Sequence, residues 1–217
     1  MIEPDTTCSV TSPCTSSGTL IKASAAGVTT LPATPPVGTQ TFHGAQALFG
    51  LKPVPVVLTS GARASYYIDT RRAILLPAGF AALGALLVPQ LRAWDATAVG
   101  GLTMGADPVA CAALAGGFEG KAFFVRKDAK AHGMQRRIEG PLLEPADRCA
   151  VVEDVVSTGG STIAAIDALH EAGHEVCGVI AVLDRLMGGR EAIEEAAGAP
   201  FVALSTIDDV YPGRPDR

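Results

Sequence analysis

The stretch Cys149-Ala-Val-Val-Glu-Asp-Val-Val-Ser-Thr-Gly-Gly-Ser-Thr162 decides the fold. Residues 150–152 are apolar on both faces, which is typical of a strand buried in a parallel sheet. Two adjacent carboxylates, Glu153 and Asp154, follow this strand. A Ser/Thr/Gly turn over residues 157–161 then opens an amphipathic helix. A strand, a turn and a helix in this order predict an α/β unit with a polar site at the end of the strand.

The turn at residues 157–161 predicts phosphate binding. Free backbone N–H groups and the positive end of the helix dipole hold a phosphate at a helix N-terminus. A phosphate alone does not call for two carboxylates, whereas a sugar with vicinal hydroxyls can donate hydrogen bonds to Glu153 and Asp154. The pattern therefore fits a ribose 5-phosphate. The alternative is a generic strand–turn–helix joint with an internally satisfied acid pair.

The remainder of the chain predicts an α/β, Rossmann-like parallel sheet flanked by helices. Short apolar strands alternate with helices after residue 96, and this alternation is typical of such a sheet. Ligands then bind beyond the carboxyl ends of the strands. Residues 42–75 fall outside the alternation and predict a small N-terminal cap, or hood, over the site. We expect one domain over residues 41–217 after a flexible, Ser/Thr/Pro-rich extension at residues 1–40.

Composition excludes several classes of function. The net charge of −5 predicts no nucleic-acid-binding surface. No apolar run reaches the roughly 18 residues of a membrane span, and the N-terminus lacks the pattern of a secretory signal. The five cysteines have no regular spacing, so we expect small core residues in a reducing, cytoplasmic compartment and no metal site built by the protein.

Residues 149–162 resemble the phosphoribosyl-diphosphate motif of the type I phosphoribosyltransferases, and further blocks narrow the resemblance to the orotate phosphoribosyltransferases. These blocks are Leu58-Thr-Ser-Gly-Ala-Arg-Ala-Ser-Tyr-Tyr-Ile-Asp-Thr-Arg71, Gly100-Gly-Leu-Thr-Met-Gly-Ala-Asp-Pro108, Val125-Arg-Lys-Asp-Ala-Lys-Ala-His-Gly133 with Ile138-Glu-Gly140, and Leu183-Asp-Arg185. The resemblance implies that orotate and phosphoribosyl diphosphate give orotidine 5′-monophosphate and diphosphate in pyrimidine (UMP) synthesis. It also implies Mg²⁺ as cofactor and a homodimer.

The resemblance assigns the site residue by residue. Phosphoribosyl diphosphate is expected at Arg126, Lys127, Lys130, His132, Glu153, Asp154, Val155, Val156, Ser157, Thr158, Gly159, Gly160 and Ser161. The catalytic residues that it implies are Lys127, Lys130, His132 and Asp154. Orotate is expected at Ser157 and Arg185, with Tyr67 and Ile68 as a pocket wall, although these two fit the core of the cap equally well.

A basic segment follows the strand at residues 122–125. Five cations lie within fifteen residues of an acidic chain, namely Arg126, Lys127, Lys130, Arg136 and Arg137. A charge run is usually a solvated surface. In the resembling family the matching loop closes over the neighbouring subunit's site, where its cations contact the diphosphate. Departure of diphosphate builds negative charge on the leaving group, which explains the need for such a lid.

Several interpretations stay open at this stage. Arg185 can pair with a carboxylate through its guanidinium fork or simply close a strand at the surface. Residues 100–108 are a diphosphate loop by resemblance or an ordinary capped turn. Thr59 replaces a lysine that many members carry, and the next basic residue, Arg63, is displaced by one position. The rival functions are a purine-base transferase of the same superfamily and a non-catalytic nucleotide sensor.

Overall fold

The computed structural model describes residues 66–127 and 137–214 and, before residue 66, only the backbone of four short strands. The strands are β1 (Leu20–Ser24), β2 (Gly27–Leu31), β3 (Val56–Val57), β4 (Arg63–Ala64), β5 (Ala98–Leu102), β6 (Lys121–Val125), β7 (Ile138–Glu139), β8 (Arg148–Val156), β9 (Glu175–Asp184) and β10 (Phe201–Ala203). The helices are α1 (Arg71–Ile74), α2 (Pro77–Ala93), α3 (Asp107–Ala115), α4 (Gly160–Glu171), α5 (Gly189–Ala197) and α6 (Ile207–Val210). The predicted extension at residues 1–40 stays a prediction, because most of it lies outside the described residues.

A six-stranded sheet organises the domain, with the strand order β10-β9-β8-β5-β6-β7. Its first five strands are parallel, as predicted, whereas the short edge strand β7 runs antiparallel to β6. From the neighbours β5 and β8 the chain crosses in opposite directions, to β6 through α3 and to β9 through α4. Such a reversal opens a crevice at the carboxyl ends of the two strands. The acid pair belongs to β8 and therefore lies at this crevice.

Helices cover both faces of the sheet. Ala150 and Val152 of β8 pack in the cluster that contains α2 and α3, whereas Cys149 and Val151 pack in the cluster that contains α4 and α5. All four side chains are fully buried. The alternation of side chains along a strand explains how one apolar run fills two cores. Within the described residues, no helix is both long and apolar enough to cross a bilayer.

Strand β8 is longer than the sequence predicts and continues through the acid pair to Val156. Its neighbour β9 stays paired with it along this length, with Glu153 opposite Ala181 and Val156 opposite Asp184. The continued ladder satisfies backbone groups that would otherwise be buried without partners. Because successive side chains alternate, the Glu153 carboxylate lies on the α4 face and the Asp154 carboxylate on the α3 face.

A third cluster joins the described part of the predicted hood to the other end of the chain. Its buried members are Tyr66, Ile68, Ala73, Leu183, Ile207 and Val210. They come from the segment before α1, from α1, from the end of β9 and from α6, a short helix that the sequence did not predict. This cluster places the hood segment against the carboxyl end of β9, beside the crevice.

Candidate active site

Glu153 is a buried carboxylate, with 5% of the residue exposed. Thr162 of α4 donates a hydrogen bond from Oγ1 to Glu153 Oε2 at 3.4 Å, and the Asp154 backbone N–H donates to Glu153 Oε1 at 3.2 Å. Burial raises the pKa of Glu153 well above its ordinary value, and the neighbouring charge of Asp154 adds to the rise. The environment therefore favours the protonated form of Glu153.

Asp154 is half-buried and held from two sides. Thr70 donates from Oγ1 to Asp154 Oδ2 at 3.2 Å, and the Val155 backbone N–H donates to Asp154 Oδ1 at 2.9 Å. These bonds fix the carboxylate while leaving part of it accessible. Such a group can accept hydrogen bonds from a polar ligand in the crevice.

The loop after β5 lies directly against the acid pair. A Cβ added to Gly105 would lie 2.4 Å from Asp154 Oδ1 and 3.0 Å from Glu153 Oε1, so a larger residue would displace these carboxylates. Gly100 and Gly101 serve a different purpose, because they lie inside β5 and allow close packing against the backbone of Phe123 and Val152. The glycine-rich segment therefore combines tight sheet packing with a close approach to the carboxylates.

The turn after β8 forms the N-terminus of α4. Gly159 adopts a left-handed conformation with φ of +86°, and no side chain caps the helix. Gly189, the first residue of α5, packs behind this turn, and a Cβ there would lie 2.6 Å from Ser157 O and 3.0 Å from Gly159 N. The backbone N–H groups of the first turn of α4 are thus left to an outside acceptor, and an anion is the acceptor that suits them.

Arg185 is buried, with 7% of the residue exposed, so the interpretation of a surface residue is wrong. Its backbone N–H donates to Val156 O at 2.8 Å, which places it beside the end of β8. The guanidinium carbon lies 4.8 Å from the centroid of the Tyr66 ring. Among the described residues, no carboxylate forms an ion pair with Arg185.

The two residues of the predicted pocket wall have different environments. Tyr67 is 37% exposed, whereas Ile68 is 7% exposed and packs in the cluster of Tyr66 and Leu183. Tyr67 is therefore available to a ligand. The Ile68 side chain serves mainly to pack the hood segment.

The basic segment begins and ends at the edge of the sheet. The Arg126 backbone N–H donates to Arg137 O at 2.8 Å, and the Arg126 guanidinium lies 3.7 Å from the Glu139 carboxylate. Arg137 in turn donates to Ala164 O of α4 at 3.2 Å. Arg126 and Lys127 are exposed. Lys130 and His132, which the sequence predicts as ligands of the diphosphate, lie outside the described residues.

Known proteins share both the sequence and this architecture. Orotate phosphoribosyltransferase of Corynebacterium glutamicum is 51% identical over 156 residues, which cover 71% of this chain and 84% of the relative. The crystal structure of Mycobacterium tuberculosis orotate phosphoribosyltransferase in complex with Fe(III) dicitrate has a TM-score of 0.64 at 43% identity, covering 76% of this chain and 95% of that one. Its complex with 5-phospho-α-D-ribosyl 1-diphosphate has a TM-score of 0.60 at 41% identity, covering 66% and 82%. No family model matches the chain.

The chain belongs to the orotate phosphoribosyltransferase family. Its sheet and flanking helices are the type I phosphoribosyltransferase fold. In this family member the acid pair lies near the carboxyl end of β8, the uncapped end of α4 follows β8, and the buried Arg185 follows the neighbouring strand β9. The resemblance noted in the sequence is thus confirmed at the level of family and fold.

Sequence reasoning missed several residues that shape the site. Thr70, Tyr66 and Gly189 contact the predicted residues from distant parts of the chain, and the sequence carries no signal for these contacts. In the sequence, Gly105 is one glycine among several in the segment 100–108, and nothing there indicates its approach to the carboxylates. The predicted Val156 has a fully buried side chain, so a ligand could reach only its backbone.

Proposed function

We propose that this protein transfers the 5-phosphoribosyl group of phosphoribosyl diphosphate to orotate. The products are orotidine 5′-monophosphate and diphosphate, and the reaction serves pyrimidine (UMP) biosynthesis. The observation that carries the proposal is the placement of two carboxylates, Glu153 and Asp154, beside the uncapped N-terminus of α4 at the strand crevice. A ribose 5-phosphate carries both hydroxyl donors and an anion, the two kinds of group that this site suits.

The turn at residues 157–161 binds the 5-phosphate through backbone N–H groups and the hydroxyls of its Ser and Thr residues. The ribose hydroxyls donate to Asp154 and Glu153. Arrival of these donors favours ionised Glu153, which is costly in the free site because Glu153 is buried beside the Asp154 carboxylate. Substrate binding and the charge state of Glu153 are therefore coupled.

Catalysis depends on electrostatic stabilisation and on exclusion of water. As the bond from C1 of the ribose to diphosphate breaks, positive charge develops on the sugar and negative charge on the leaving group. Asp154 stabilises the sugar side, and Arg126, Lys127, Lys130 and His132 stabilise the diphosphate. The lid formed by these residues also keeps out water that would capture the sugar.

Mg²⁺ is the cofactor that we propose, and the residues at the crevice fit it. Carboxylate oxygens are the donors that suit Mg²⁺ and its bound waters, and Gly105 leaves space beside Asp154 that a Cβ would fill. Within the described residues, no group of three His, Cys, Asp or Glu side chains could hold a metal by itself. Asp154 and Glu153 would hold the hydrated ion at the crevice together with the substrate. Bound there, the ion would neutralise charge on the diphosphate.

Orotate is recognised by Arg185 and Ser157. A guanidinium fork matches the 6-carboxylate of orotate, which distinguishes this base from uracil and from the purines. Arg185 is buried and lacks a carboxylate partner in the described part of the chain. The carboxylate of the substrate would form the missing ion pair with its guanidinium. Tyr67 is exposed and follows Tyr66, whose ring lies against Arg185. We assign Tyr67 to the wall of the pocket for the pyrimidine ring.

We further propose a homodimer in which the basic lid of one subunit closes over the site of the other. The support is that Arg126 and Lys127 are exposed and follow β6, which pairs with the edge strand β7. We also propose a cytoplasmic location. In the part of the chain that the structure describes, Cys111, Cys149 and Cys177 are free thiols, which supports a reducing compartment.

A substrate panel tests the proposed function. Depletion of orotate absorbance is followed with phosphoribosyl diphosphate and Mg²⁺, and orotate is then replaced by uracil, adenine or hypoxanthine. We expect turnover of orotate alone. Turnover of a purine base would favour the rival transferase. Binding of phosphoribosyl diphosphate without turnover of any base would favour the nucleotide sensor.

A further inference from the structure

Arg185 is a buried cation that rests on an aromatic ring. Its guanidinium carbon lies 4.8 Å from the centroid of Tyr66, and the two residues are 7% and 1% exposed. Arg185 Nε is buried and has no hydrogen-bond partner among the described residues. A desolvated cation is costly unless it is compensated, and the negative face of a ring offers such compensation. Tyr66 is thus the side chain that the described structure places against this charge.

The Tyr66 ring is itself held rigidly. The Tyr211 ring forms a T-shaped pair with it, with an interplanar angle of 89° and 5.6 Å between the two ring centroids. Leu183 of β9 and Ile207 and Val210 of α6 complete the cluster around it. Contacts from three parts of the chain therefore fix the plane of the ring, and the ring plane fixes the preferred position of the guanidinium.

The hydroxyl of Tyr66 does not explain its burial. This oxygen is buried and has no hydrogen-bond partner among the described residues, although a buried hydroxyl normally finds one. An unpaired buried hydroxyl lowers stability. The π face is the part of this side chain that has a defined partner, namely Arg185.

We propose that Tyr66 is a positioning residue that holds the Arg185 guanidinium ready for the carboxylate of the base. The inference rests on the proposed role of Arg185 in binding orotate. A side chain as long as arginine loses considerable conformational freedom when it binds a ligand. Because the ring fixes the guanidinium beforehand, much of this loss precedes substrate binding. The contact therefore contributes to the affinity for orotate and not to that for phosphoribosyl diphosphate.

A fluorination series tests this role without changing the shape of the ring. Position 66 is replaced by phenylalanine, which serves as the reference, and then by phenylalanines that carry one, two or three ring fluorines. Fluorine withdraws electrons and weakens the π face step by step. We expect the KM for orotate to rise with each fluorine, by roughly 5- to 30-fold in total, the size of a desolvated cation–π contact. The KM for phosphoribosyl diphosphate should stay constant along the series.

The chain offers a matched control in a second cation–π contact. The Arg190 guanidinium carbon lies 4.7 Å from the centroid of Phe201, at the far edge of the sheet in β10. The same fluorinated residues at position 201 should leave both KM values unchanged. A flat response at position 66, or an equal rise in both KM values, overturns the proposal.

Arg185→Ala separates this inference from the proposed function. If Arg185→Ala leaves the KM for orotate unchanged, the proposed role of Arg185 fails. If Arg185→Ala raises it while fluorination at position 66 does not, only the positioning role of Tyr66 fails. If both hold, the fluorine dependence should disappear in the Arg185→Ala background, because the ring then has no cation to hold.

Discussion

Thr70 donates a hydrogen bond from Oγ1 to Asp154 Oδ2 at 3.2 Å, across 84 residues of sequence. Thr70 is fully buried and lies immediately before α1, in the described part of the predicted hood. Asp154 lies in β8 at the crevice of the sheet. This bond connects the segment that packs over the site with the carboxylate proposed to hold the ribose.

The first prediction concerns this hydrogen bond. Thr70→Val keeps the shape of the side chain and removes the donor, so the Asp154 carboxylate loses its orientation. We expect the KM for phosphoribosyl diphosphate to rise roughly fivefold, because a hydrogen bond contributes about 1 kcal/mol. Initial-rate kinetics at varied concentrations of each substrate measure it. Thr70→Ser retains the donor and should restore most of the affinity; an equal defect in both variants would assign Thr70 to packing alone.

The second prediction follows from the raised pKa of Glu153. The unfolded chain releases this proton near the ordinary value of 4.5, whereas burial raises the pKa in the folded state. Above pH 4.5 the folded state binds more protons, so its stability falls as the pH rises towards the folded-state pKa. Glu153→Gln removes this cost. We expect the stability of the variant relative to wild type to increase from pH 4.5 to pH 8, while its KM for phosphoribosyl diphosphate increases.

Urea unfolding measures this difference through the single tryptophan. Trp94 packs against Gly178 of β9, where a Cβ would lie 2.5 Å from the indole ring, so its fluorescence reports on the core. A stability difference that is independent of pH would show that Glu153 titrates normally. Glu119→Gln, a change at a surface residue, is the control.

Short-range sequence patterns account for most of the segment around β8. The apolar run of β8, the helix that follows it and the glycine turn between them were predicted correctly, because periodicity and turn chemistry act over a few residues. The end of β8 was placed too early. In the sequence, two charged residues after an apolar run indicate the end of a buried strand. In the structure, pairing with the long strand β9 keeps Glu153 and Asp154 in the sheet.

The contacts that refine the site are not local. Thr70 reaches Asp154, and Tyr66 reaches Arg185, only after the hood segment packs on β9 and α6. A threonine or tyrosine in a short segment has no pattern that indicates such a partner. The strand β7 and the helix α6 are too short for periodicity to detect, since they contain two and four residues.

The third prediction concerns the base. Arg185→Ala should lower kcat/KM for orotate. The loss should correspond to about 2–5 kcal/mol of transition-state stabilisation, the range for removal of one partner of a buried charge pair. Arg190→Ala, which removes a half-exposed arginine whose guanidinium lies against Phe201 of β10, is the control and should retain normal kinetics. Poor turnover of an orotate analogue without the carboxylate should not worsen further in Arg185→Ala. An equal loss with both bases would make Arg185 a structural residue.

The fourth prediction concerns acid stability and a cluster far from the catalytic strand ends. Asp147 accepts hydrogen bonds from Lys121 Nζ at 2.6 Å, from Thr97 Oγ1 at 2.8 Å and from the Glu144 N–H at 2.6 Å. Burial alone would raise the pKa of Asp147, but these donors lower it from 3.8 to about 2. The stabilisation is therefore complete above about pH 4 and is lost as the pH falls through about 2.

Asp147→Asn should remove this pH dependence and lower stability at pH 7 by about 1–3 kcal/mol, because the Lys121 ammonium loses its anionic partner and retains only neutral acceptors such as Leu142 O. Urea unfolding between pH 2 and pH 7 measures both effects. Asp167→Asn, at an exposed position of α4, is the matched control and should behave like wild type. If the two variants have the same acid transition as wild type, the cluster around Asp147 does not control acid stability.

The fifth prediction concerns the proposed lid across a homodimer. One chain is inactivated by Lys127→Ala in the basic segment and another by Asp154→Asn at the crevice. The two are then mixed under conditions that exchange subunits, and exchange is verified by native mass spectrometry. If each lid serves the partner's site, a mixed dimer contains one site with both defects and one with neither.

Activity should then recover to about half that of a wild-type dimer for each mixed dimer, by the symmetry of a two-fold assembly. If each chain supplies its own lid, every site in the mixed dimer carries one defect and no activity returns. The two arrangements thus differ in the activity of the mixed dimer, and neither variant homodimer has this activity alone. Verified exchange without recovery would exclude the shared site, and it would leave the roles of Lys127 and Asp154 within one subunit intact.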